Sequence, residues 1–137
     1  MAFSYHPYFR LQGASRDDVR PCLPARRHLE LDDRQLPAGA ARVESAEDEP
    51  IGQRTFDDLY ELDGDRELAL TAGGRRLVVR VDDGYRYAQV FGPRGAEFAC
   101  LEPMTAPVNA LNDRDYSLVA PGGSYTARFT ILVEDVS

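Results

Sequence analysis

The chain lacks lysine altogether: all 16 of its basic residues are arginine. We read this as a compositional bias of the source, not as sixteen designed guanidinium sites. Cysteine is scarce. Cys22 and Cys100 stand far apart, with no CxxC and no histidine at metal-ligand spacing. Two isolated cysteines in a chain without a leader read as reduced thiols, and four soft ligands for a structural zinc are not on offer. Long apolar runs are also missing. No window approaches the roughly 18–20 residues that span a bilayer, so a membrane protein of the helical kind is not expected. The start, MAFSYHPYFRL, has no basic segment followed by an apolar core, so no secretory signal is expected and the cytoplasm is the expected compartment. Repeats of 20–50 residues are absent, which argues against solenoids and propellers. Gly-rich phosphate loops, a nucleophile elbow, HExxH and GxGxxG are absent too, so no nucleotide or metal cofactor is expected.

Enough is present for one globular domain. The 137 residues are 43% hydrophobic and 28% charged, ordinary values for a folded domain of about this size. Sixteen basic against 23 acidic residues leave a net charge of −7. Such a surface repels phosphate backbones, so nucleic-acid binding is not expected.

The periodicity is that of strands. Runs at Arg27–Leu31, Glu67–Leu70, Arg76–Val81, Tyr85–Phe91, Glu97–Leu101 and Tyr125–Val133 are separated by turn formers such as Gly73-Gly74, Asp82-Asp83-Gly84 and Pro121-Gly122-Gly123. Short strands at this spacing predict an all-β, antiparallel β-sandwich. Gly73-Gly74 and Asp83-Gly84 each predict a tight hairpin, together linking three successive strands into a meander. Residues 36–54, acidic and rich in small side chains, read as a long surface loop. Asp57–Leu62 and Thr105–Leu111 could each form a helical turn, the second with Thr105 as its N-cap.

Three places could carry chemistry. His6 in SYHPYFRL can exchange protons near neutral pH, with Tyr5, Tyr8 and Phe9 as an apolar wall. It could equally be a packed strand-end histidine. Glu102 in CLEPMTAP ends an apolar strand, and the proline after it stops the ladder, which holds a carboxylate at a sheet rim. A solvent-exposed terminal Glu is the bland alternative. Asp57 and Asp58 in TFDDLYEL could grip sugar hydroxyls, or complement the dipole of a helix start. A histidine and a carboxylate across one pocket suit coupled proton transfer. His28, in an alternating strand, reads as a surface or packing residue.

Taken in order, these segments resemble the aldose 1-epimerases, the galactose mutarotase-like proteins. HPYF with Leu11 is similar to the family's histidine segment. FDDLYEL resembles its Asp-x-x-aromatic substrate segment, with Asp57 as the acid and Tyr60 as the aromatic. CLEPMTAPVNALN resembles its strand ending in Glu-Pro, followed by an Asn-Ala pair (Asn109-Ala110). LVAPGGSYTARFTILV resembles its closing turn and last strand. The resemblance implies a part of a β-supersandwich that interconverts the anomers of an aldohexose without a cofactor. Glu102 would be the general base on the anomeric hydroxyl and His6 the general acid on the ring oxygen. Asp57 would bind a sugar hydroxyl. Family members are about twice as long, so the chain looks like their C-terminal half. Their first half supplies a further histidine and an arginine. Self-association or a separately supplied first half would close the strand edges left open. A carbohydrate-binding module without turnover and a scaffold with vestigial site residues are the competing readings. So is a hexose-6-phosphate epimerase, for which Arg10 is the nearby basic residue.

Overall fold

The computed structural model describes residues 1–136. Ten strands form two antiparallel sheets. In chain order they are β1 (Tyr8–Phe9), β2 (Arg20–Cys22), β3 (Arg26–Leu29), β4 (Arg42–Glu44), β5 (Phe56–Glu61), β6 (Glu67–Ala72), β7 (Arg75–Val81), β8 (Tyr87–Gly92), β9 (Ala99–Met104) and β10 (Phe129–Asp135). One sheet has the order β1-β9-β8-β5-β3-β4 and the other β10-β7-β6-β2. The expected β-sandwich is therefore the observed architecture. One short helix, α1 (Ala110–Asp113), follows β9. No helix among the described residues is long and apolar enough to cross a membrane.

Alternation along the strands builds the core. Side chains of successive strand residues point to opposite faces. On the six-stranded sheet Phe56, Tyr60, Ala88, Val90, Ala99 and Leu101 point inward. They meet Leu68, Leu70, Leu77, Val79 and Val81 of the four-stranded sheet. The opposite face of β5, β8 and β9 is thereby left to carry a site.

Gly73 and Gly74, at φ +58° and +74°, make the β6–β7 hairpin as expected, because both central turn positions need left-handed backbone. The second expected hairpin does not form. Asp82-Asp83-Gly84 carries the chain across the sandwich, since β7 pairs with β6 and β10 while β8 pairs with β5 and β9. The crossing is held by Asp82 N–H to Arg128 O and Arg128 N–H to Asp83 O. Gly84 sits there at φ +78°, and a Cβ on it would lie 2.5 Å from Thr126 O.

Two other expectations are corrected. Asp57–Leu62 is not a helical turn; Phe56–Glu61 is a central strand with six rungs to β8. The helix in the Thr105–Leu111 region begins at Ala110, and Asn109, in the left-handed region, precedes it in place of Thr105. Thr105 instead accepts the Phe3 N–H at 3.0 Å, tying down the N-terminal segment. The 36–54 stretch is mostly exposed. It contributes β4 to the sheet edge and buries Ile51.

Candidate active site

The register of three strands sets out the site. Gln89 of β8 lies opposite Leu59 of β5 on one side and Glu102 of β9 on the other. Asp57 lies opposite Phe91, and Phe91 opposite Cys100. Parity puts Asp57, Gln89, Phe91, Cys100 and Glu102 on the outer face of the six-stranded sheet. The N-terminal segment runs along β9, held by Tyr5 N–H to Pro103 O. It brings His6 over Glu102. His6, Tyr8, Asp57, Gln89, Phe91, Glu102, Met104 and Val108 then line a cleft of about 310 Å³, the size of a small-ligand site. A cavity of about 550 Å³ lies elsewhere, lined by residues including Arg66, Tyr87 and Arg114. It holds no histidine beside a carboxylate, so the chemistry and not the volume selects the smaller cleft.

His6 Nε2 stands 3.2 Å from Glu102 Oε1, with the imidazole half exposed and the carboxylate 8% exposed. The approach is within ion-pair range but is not aligned as a hydrogen bond, and Oε1 is buried with no hydrogen-bond partner. Burial, and then the nearby charge of Asp57, push the Glu102 carboxyl up to about 7. This is the range in which a side chain can take and return a proton at neutral pH. The imidazole is stacked on Tyr8, with ring centroids 4.8 Å apart, and meets the edge of Phe91 at 6.2 Å.

Gln89 was not anticipated from the sequence. Its Nε2 donates to Asp57 Oδ1 at 2.8 Å, which fixes both side chains. Its Oε1 is buried without a partner. Two buried acceptors thus face one cleft, from Gln89 and Glu102. A buried unpaired acceptor costs free energy until a donor arrives, and a polyhydroxylated ligand brings donors. The only trace in the sequence is a polar residue, Gln89, between the apolar Ala88 and Val90 of the run YRYAQVF.

Two expected site residues lie elsewhere. Tyr60 is 1% exposed on the core side of β5, opposite in direction to Asp57. Its hydroxyl donates to Asp58 Oδ2 at 3.3 Å, and the Arg26 guanidinium lies 4.6 Å over its ring. Arg10 is 68% exposed and ion-paired with Glu97, outside the cleft. Among the described residues no arginine lines the cleft. Asp57 and Asp58, adjacent in sequence, face opposite sides of the sheet. Asp58 joins His28, which lies 3.5 Å from it, 2.8 Å from Glu44 and against Tyr60. His28 is thus a packing residue in a polar cluster anchored by the buried Arg26, whose guanidinium reaches Glu44 at 2.9 Å and Glu47 at 3.4 Å.

His6, Cys100 and Glu102 bring one ligand atom each within 4.8 Å of one another. Burial, and then the charge of Glu102, push the Cys100 thiol up to about 12. The thiol is therefore held protonated at neutral pH, and Glu102 is the member of this group placed to exchange protons there.

Comparison with known proteins gives the family and agrees with the fold. The family model of aldose 1-epimerase matches residues 1–132. A galactose mutarotase-like protein from Clostridium acetobutylicum has a similar structure, with a TM-score of 0.84 at 18% identity. The match covers 99% of this chain and 48% of that one. The Slr1438 protein from Synechocystis sp. PCC 6803 superposes with a TM-score of 0.67 at 19% identity, over 98% of this chain and 46% of that one. The chain therefore spans about half the length of these structures. No match is found among curated proteins. With the family model covering nearly its whole length, the chain belongs to the aldose 1-epimerase family.

Proposed function

We propose that the cleft interconverts the α and β anomers of an aldohexose, with Glu102 as general base and His6 as general acid. The observation that carries this reading is the His6–Glu102 pair, 3.2 Å apart in a cleft where the carboxyl is pushed up to about 7. Glu102 takes the proton of the anomeric hydroxyl. The electrons of that O–H bond form the C1 carbonyl, the C1–O5 bond breaks, and O5 takes a proton from His6. Rotation about C1–C2 turns the carbonyl, O5 attacks its other face, and both protons return. The step is redox-neutral and consumes no co-reactant. Asp57, held by Gln89, accepts a sugar hydroxyl, and Tyr8 and Phe91 supply apolar walls to the ring.

A second reading is a module that binds the sugar without turning it over. What favours it is that the chain spans about half of the structures it resembles. Polarimetry with fresh α-D-glucose and α-D-galactose, run beside ligand-observed NMR binding, separates the two. Faster decay of rotation with wild type, lost in Glu102→Gln and His6→Asn, supports the enzyme. Binding with a decay equal to that in buffer supports the module, and absence of both removes sugar recognition from this chain.

A further inference from the structure

Open sheet edges are sites of chain pairing, and proteins usually blunt them with proline, charge or shortness. Three of the four edges here are blunted. β1 has two residues, β4 has three, and β2 has three with Pro21 in its middle. β10 differs: Phe129–Asp135 has seven residues, contains no proline and pairs on one side only, with β7. Phe129 packs against the core, but the next two core-side residues are not covered. Ile131 and Val133 lie opposite Val79 and Leu77, which are 0% and 9% exposed, yet they are themselves 45% and 68% exposed.

The backbone tells which groups are free. Arg128 N–H donates to Asp83 O just before the strand, and Val136 N–H to Gly74 O just after it. Inward hydrogen bonding alternates along an antiparallel strand. Even-numbered residues of β10 therefore bond to β7, and the N–H and C=O of Phe129, Ile131, Val133 and Asp135 point outward.

We propose that β10 pairs antiparallel with β10 of a second copy, about a two-fold axis at Leu132, joining two four-stranded sheets into one. The register is self-complementary. Ile131 faces the partner's Val133 and Val133 the partner's Ile131, so the exposed apolar residues cover one another. Phe129 faces the partner's Asp135, and Thr130 faces the partner's Glu134. No like charges stand opposite. Every outward group of the strand finds its counterpart, about eight main-chain hydrogen bonds in all. This inference rests on the sheet edge alone and is independent of the sugar reading.

The net charge of −7 on each copy opposes association, so the dimer should tighten as salt screens the repulsion. Sedimentation velocity across the micromolar range tests the pairing. Val133→Lys and Val133→Pro are the informative variants. Residue 133 is exposed, and its N–H points away from β7, so proline there spares the β7 ladder. Wild type should dimerise, and both variants should weaken the dimer about tenfold or more with unchanged far-UV circular dichroism. The register has its own probe. Leu132 faces itself across a non-hydrogen-bonded rung, where Cα atoms lie about 4.5 Å apart, within disulfide reach. In a Cys22→Ser background, Leu132→Cys should form a covalent dimer on mild oxidation and Thr130→Cys should not. A wild-type monomer at high micromolar concentration overturns the proposal, as does a dimer unchanged by both Val133 variants. The first outcome would leave the edge to a different chain, such as one carrying the other half of the family fold.

Discussion

Glu102→Gln should make the protein more stable at neutral and alkaline pH while removing its proposed activity. The Glu102 carboxyl, 8% exposed and facing Asp57, is pushed from 4.5 to about 7 by burial and by that charge. A raised folded-state value means that the native protein holds the proton more tightly than the unfolded chain does. The benefit is fully present below pH 4.5 and is lost as pH rises through about 7. The midpoint has moved by about two and a half pH units, at about 1.4 kcal/mol each, so the ionised form costs about 3 kcal/mol above that range. Glutamine has the same shape and never ionises. Loss of the attraction to His6 offsets a part of the gain, a small one because the imidazole is half exposed. The expected gain at pH 8 is therefore about 1–3 kcal/mol, or about 3 °C in Tm per kcal/mol for a domain of this size. It should shrink towards zero below pH 4.5. Urea melts of both proteins followed by circular dichroism from pH 4 to 8 measure the difference directly. A variant less stable than wild type at pH 8, or a difference that does not change with pH, would refute the reasoning.

Asp57→Asn removes the charge that helps to raise Glu102, so the acidic limb of the pH–rate profile should move below that of wild type; an unmoved limb would mean that the charge is not felt. Arg26→Ala removes a buried guanidinium from Glu44 and Glu47, which keep Arg42, His28 and Arg54 as partners, and should cost about 1–3 kcal/mol of stability, read by urea melts, with activity per folded molecule unchanged. Gly84→Ala forces a Cβ to within 2.5 Å of Thr126 O at a φ of +78° and should cost about 2 kcal/mol or more. Gly73→Asn, at φ +58° with open space around it, should be tolerated in the same melts.

Much of the sandwich was legible because alternation and turn chemistry survive in the sequence. Arg76–Val81 and the Gly73-Gly74 turn lie within the β6–β7 hairpin as read. The meander failed for a reason local signals do not carry. Asp83-Gly84 can tip a hairpin or a crossing equally well, and the choice is made by Arg128 and the chain around Ala127. The Asp57-Asp58 pair of β5 disfavours strands in isolation, which is why the local sequence suggests a helical turn there. Burial of Leu59 and Tyr60 between β3 and β8 overrides that preference. Tyr60 joins Asp57 in the expected site through the resemblance alone; on a strand an odd separation sends the two to opposite faces. His6, Asp57 and Glu102 meet because β5 and β9 both flank β8, a long-range pairing that resemblance suggested and periodicity did not. Gln89, between them, looked like an ordinary polar alternate.

Anomer exchange at equilibrium, read by NMR magnetisation transfer between the α and β C1 protons of D-glucose or D-galactose at pH 7, tests the central claim most directly. If Glu102 and His6 move the protons, wild type accelerates exchange. Glu102→Gln then loses about 10²–10⁴-fold of that acceleration while remaining folded. Equal acceleration by wild type and Glu102→Gln, or none by wild type, would contradict the account.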